Sequence, residues 1–111
     1  MVNIVDYSKC LDVLINYGYS EESIIEVLNK LFEINGISEF TNYRLDNKLI
    51  STAQFVPRYN KIFINPSRIP IWLKNNIDDD NILPNIEDRN KLKDYYVLNI
   101  LVHEVEHAKQ Y

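Results

Sequence analysis

Glycine and proline are scarce, two and four residues in a chain of 111. That scarcity excludes collagen-like and low-complexity classes. A single cysteine, Cys10, leaves no internal disulfide framework. No apolar run approaches the roughly 20 residues that span a bilayer; the longest, 97–102, is interrupted by Asn99. The N-terminus lacks a basic stretch followed by an apolar one, so no targeting segment is expected. These absences set the expectation of a cytoplasmic chain with no membrane partner. Positive charge is also in deficit, with 12 basic residues against 16 acidic ones and a net charge of -4. Bulk nucleic-acid binding is thereby disfavoured, because it needs a polycationic surface.

What is present is core-forming material. Apolar residues make up 46% of the chain, enough for one folded domain over 1–111. Residues 7–17 read as a helix, with Cys10, Leu11, Leu14 and Ile15 on one side and Gly18 as its stop. Ser20 reads as an N-cap, with Glu21 and Glu22 at the positive end of the next helix dipole. Ile24, Leu28, Leu31 and Phe32 continue that helix, and Asn35-Gly36 closes it. The period then changes. Phe40, Tyr43 and Leu45, then 49–56, then 61–65 read as strands separated by turns at Asp46-Asn47 and 57–60, which predicts an antiparallel meander. Pro66 and Pro70 read as breakers, and 71–73 as a short helical turn. An acidic loop at 78–81 precedes a long helix starting near Ile86, with Asn85 as its cap and Glu87 and Asp88 in its first turn. The predicted class is α+β: N-terminal helices, a small antiparallel sheet and a long C-terminal helix.

That last helix carries the chemistry. Histidine occurs twice, and both copies fall in His103-Glu104-Val105-Glu106-His107, an H-E-x-x-H pattern. A helix advances about 100° per residue, so positions four apart project from one face, one turn apart. Two imidazoles so placed can grip one metal ion, while Glu104 flanks it and reaches a water without ligating. By chance the pattern would arise roughly once in a thousand such chains, well below the background of most short motifs. Val97, Leu101, Val105 and Ala108, widened by Leu98 and Val102, form the stripe expected to face the core. The histidines lie beside that stripe, sharing their side with Asn99, Ile100 and Gln110. The bland alternative is a solvated, idle histidine pair on a surface helix.

The pattern on its helix resembles the zincin metallopeptidases, in particular small bacterial or phage domains such as the antirepressor-cleaving (ImmA/IrrE-like) proteases of mobile elements. The resemblance implies Zn2+ held by His103 and His107, Glu104 as general base, and a peptide or protein substrate. It also implies a sheet edge that aligns the substrate, for which 61–65 or 49–56 are the candidates. Departures accompany it. Glu106 stands where many zincins carry Gly, and Gln110 occupies the Gly position of the longer H-E-x-x-H-x-x-G-x-x-H form. No third ligand is evident. The acids at 78–80, Glu87 and Asp88 precede the motif, whereas Glu-ligand zincins place theirs after it. The site is therefore expected to be completed by a missing C-terminal region of a longer protein, or by a partner or second copy in a homodimer. The remaining alternative is a degenerate site in a non-catalytic phage or mobile-element interaction protein.

Other features have plainer readings. The acidic loop lacks the Gly and distal Glu of an EF-hand. Cys10 reads as a buried apolar residue. Trp72, with Ile69, Ile71 and Leu73, reads as core or as a partner-binding patch. Tyr59 and Tyr111 are possible hydrogen-bond donors to an oxyanion, with nothing to select either.

Overall fold

A computed structural model describes residues 7–76 and 86–110, with the side chains of 75–76 and 86–90 left aside. The expected cap at Asn85, the acidic loop at 78–81 and Tyr111 lie outside the described residues, as do the side chains of Glu87 and Asp88.

The helical hairpin forms where local chemistry demands it. Helix α1 (Ser8–Tyr17) ends at Gly18, whose φ of 73° suits glycine and whose N–H reaches the Leu14 carbonyl. Helix α2 (Glu21–Ile34) is capped by Ser20, whose side chain accepts the Ser23 N–H at 3.2 Å. Its end is a Schellman motif. Gly36, at φ 74°, donates to the Glu33 carbonyl, and the Ile37 N–H donates to Phe32 at 2.8 Å.

The sheet is mixed, and here the structure corrects the expected meander. Strand β3 (Lys61–Ile64) lies between β1 (Tyr43–Leu45) and β2 (Ala53–Val56). It pairs antiparallel with β2, Phe55 opposite Ile62, but parallel with β1, Arg44 opposite Phe63. The β2–β3 hairpin closes through a 3-10 turn at Pro57–Tyr59 and a left-handed Asn60. The β1–β2 connection is no hairpin. Asp46 turns the chain by accepting the Lys48 N–H at 2.9 Å, and residues 46–52 then carry it past β3 to the far side. Asn65 secures that crossing, donating from Nδ2 to the Leu49 carbonyl while its backbone N–H donates to Thr52. Residues 61–65 therefore supply the central strand, and 49–56 supplies an edge, shortened to β2.

Pro66 opens a second 3-10 turn (Pro66–Arg68). Helix α3 runs Ile69–Asn76, longer than the short turn expected, because Pro70 falls in its first turn, where the missing N–H costs nothing. Helix α4 spans Ile86–Gln110.

One cluster of buried side chains unites these elements: Leu14 from α1, Ile24, Leu28 and Phe32 from α2, Ile62 and Ile64 from β3, Ile69 from α3. Val97, Leu98, Leu101, Val105 and Ala108 of α4 are all buried, with Val102 packed partly against them, as the stripe predicts. The Phe32 ring sits against Phe40 and Tyr43, with centroids 5.1 and 5.7 Å away. Tyr19 Oη donates to Asp94 at 2.7 Å and fixes α4 against the helical hairpin. Among the described residues, no helix is long and apolar enough to cross a membrane.

Candidate metal centre

The last turns of α4 bury one face and present another. His103 and His107 are exposed, whereas Glu104 between them is only 8% exposed. The two imidazoles converge. Their Nε2 atoms stand 3.0 Å apart, with ring centroids 4.5 Å apart and planes at 89°. Nitrogens about 2.0–2.1 Å from one tetrahedral zinc ion would be separated by about 3.3 Å. The pair thus fits two positions of such an ion with little adjustment.

Strand β2 supports the pair from the side. The Phe55 ring stacks on His107, planes 6° apart and centroids 5.8 Å apart. Because Thr52 accepts the Asn65 N–H, the ladder turns the backbone groups of Ala53 and Phe55 away from β3, toward the free edge. There the Phe55 N–H donates to the Glu104 carboxylate. Burial pushes the Glu104 carboxyl above its ordinary range; His103, His107 and the Phe55 N–H pull against that rise without cancelling it. A carboxyl group with a raised pKa is suited to taking up and returning a proton.

A cleft of about 560 Å3 opens beside this site, within the size range of ligand pockets. His103 and Glu104 contribute to its lining. Residues 50–53, Arg68, Ile71 and Trp72 of α3, and Tyr96, Asn99 and Ile100 of α4 also line it. Asn99 and Ile100 share the histidine side, as the helical wheel predicts. Trp72 is half-buried, its ring 5.9 Å from that of Tyr96, and so contributes to core and cleft alike. Tyr59 is exposed at the hairpin turn and does not line this cleft. Cys10 is fully buried, and burial raises its thiol pKa.

Among the described residues, no group of three His, Cys, Asp or Glu side chains gathers to hold a metal. The histidines provide two nitrogens, and Glu104 is committed to the Phe55 N–H. Sequence reasoning found the three motif residues but missed Phe55, Arg68, Ile71 and Tyr96 as neighbours of the site. Only Tyr96 carried a signal, seven residues and thus about two helical turns before His103.

Compared with known proteins, the chain matches no family model, no curated protein and no solved structure.

Proposed function

We propose that this chain is a zinc-dependent peptidase domain of zincin type that hydrolyses peptide bonds with an activated water. The observation that carries the reading is the convergence of His103 and His107, Nε2 to Nε2 3.0 Å, with the Glu104 carboxylate close enough to feel both and lining a cleft. His103 and His107 would hold the ion. When bound, zinc supplies Lewis-acid polarisation of the scissile carbonyl and of water. Glu104 would take the proton from water and return it to the departing amine. Among the described residues no strand pairs with the outer edge of β2, where the backbone groups of Ala53 would be open to an extended peptide beside the cleft. A catalytic zinc normally has three protein ligands. The third comes from outside the described residues, from a partner or from a second copy. A cytoplasmic setting and a peptide or protein substrate, with no nucleic-acid partner, belong to the same reading.

Glu104→Gln is the direct test. Hydrolysis of a mixed peptide pool should fall by at least about 100-fold, the contribution of a general base, while zinc stays bound. Retained hydrolysis in that variant rejects the assignment of Glu104. The lack of a third gathered ligand among the described residues favours a second reading, a non-catalytic phage or mobile-element interaction protein with a degenerate site. That reading requires His103→Ala to leave partner binding intact and wild-type protein to show no zinc-dependent hydrolysis.

A further inference from the structure

We propose that the cleft beside His103 and Glu104 selects a large apolar side chain adjacent to a carboxylate, and that Arg68 recognises that carboxylate. The proposal rests on the peptidase reading for its biological use, but its physical basis is separate.

Much of the cleft wall is apolar or aromatic: Ile50, Ile71, Trp72, Tyr96 and Ile100, interrupted by Ser51, Thr52 and Asn99. Three of these residues are exposed to solvent, Ile50 at 84%, Ile71 at 51% and Tyr96 at 41%. An apolar group seated there removes that surface from water, the dominant favourable term in such binding. The aromatic rings of Trp72 and Tyr96 give it a broad, polarisable wall.

The charge in the cleft is placed unevenly. Glu104 is already held by the Phe55 N–H and interacts with both imidazoles. Arg68 also lines the cleft, is half-buried, and forms no ion pair with a carboxylate among the described residues. A guanidinium against apolar walls is a strong site for a carboxylate, because it offers two parallel N–H donors and is weakly hydrated. The backbone that carries it is anchored. The Arg68 backbone N–H donates to the Asn65 carbonyl at 3.0 Å, and Asn65 is buried. The positive charge of Arg68 in the lining also disfavours a lysine or arginine side chain beside it. The carboxylate can be an acidic side chain or a free C-terminus; both present the same group to Arg68.

Trp72 makes the proposal measurable. It is the only tryptophan in the chain and stands in the cleft wall, so its fluorescence reports occupancy. The probes are N-acetyl-phenylalanine, N-acetyl-phenylalaninamide, N-acetyl-phenylalanyl-aspartic acid α-amide (side-chain carboxylate free) and N-acetyl-alanine, titrated into metal-free and zinc-loaded protein. The expected result is a saturable change in emission with a carboxylate-bearing phenylalanine probe. Its binding should be about tenfold or more tighter than that of the amide, and N-acetyl-alanine should be weaker still. The preference should collapse in Arg68→Gln and partly recover in Arg68→Lys, with circular dichroism showing both variants folded. Whichever carboxylate binds tighter, terminal or side-chain, names the source. Equal binding of acid and amide, no saturable change with any probe, or a preference retained in Arg68→Gln would each overturn the proposal. Zinc uptake measured on the same samples separates the two readings. Probe selectivity without zinc binding removes the peptidase reading and leaves the pocket, whereas zinc binding without selectivity does the reverse.

Discussion

Asn65 offers the most quantitative test of how the cleft is held together. The residue is 1% exposed and sits where β3 gives way to the turn carrying Arg68. Its Nδ2 donates to the Leu49 carbonyl at 2.9 Å, and its Oδ1 accepts from the Ser67 N–H at 3.2 Å and from the Ser67 hydroxyl. Asn65→Ala removes all three bonds. At about 1 kcal/mol each they total about 3 kcal/mol. Ser67 is exposed, however, and water can replace part of what it loses. The Leu49 carbonyl, facing a partly buried loop, retains most of its penalty, which leaves a net cost of about 2 kcal/mol. Urea unfolding should show the midpoint falling by the corresponding amount at an unchanged m-value. Ser67→Ala, which removes only the hydroxyl, should cost less than about 1 kcal/mol, and the double variant should cost less than the sum, since one bond is shared. A loss below about 0.5 kcal/mol for Asn65→Ala, or an equal cost for Ser67→Ala, would refute the view that this asparagine pins the loop. The loop matters because 50–53 forms a wall of the cleft.

Three further outcomes follow from the core and the caps. Phe32→Ala should cost about 3–5 kcal/mol by chemical denaturation, since a fully packed ring with two aromatic neighbours leaves a cavity. Gly36→Ala should cost about 1 kcal/mol in the same assay; nothing lies within 4 Å of an added Cβ, so the penalty is the left-handed backbone alone. Tyr19→Phe should cost about 1 kcal/mol at neutral pH by removing the hydrogen bond to Asp94. Burial, then that bond, raise the Tyr19 pKa in the folded state. Its contribution is therefore complete below the ordinary tyrosine pKa and is lost as pH climbs through the raised one. The stability gap between wild type and Tyr19→Phe should accordingly narrow in strongly alkaline buffer, and a gap that widened there would contradict the assignment.

The helices were legible because their signals are local. Ser20 caps α2, Asn35-Gly36 ends it, and the spacing of Val97, Leu101, Val105 and Ala108 gives the buried face of α4. The α+β class follows from those helices and the β-prone middle. Strand order was not legible, because a parallel β1–β3 pair is decided by where the loop 46–52 crosses and not by turn residues between the partners. Helix α3 was underread because Pro70 signals a break unless one knows it occupies a first turn. The histidine pair was legible from helical geometry alone. Phe55, Arg68 and Trp72 were not, since nothing in a sequence announces that segments 30–50 residues apart will meet at one cleft.

The account stands or falls on whether the His103–His107 pair takes up zinc. Titration of the metal-free chain against a chromophoric zinc chelator should show saturable, stoichiometric uptake. Glu104→Gln should retain that uptake, whereas His103→Ala and His107→Ala, each still folded, should lose it. Uptake that persists in both histidine variants, or none in the wild type, would contradict it.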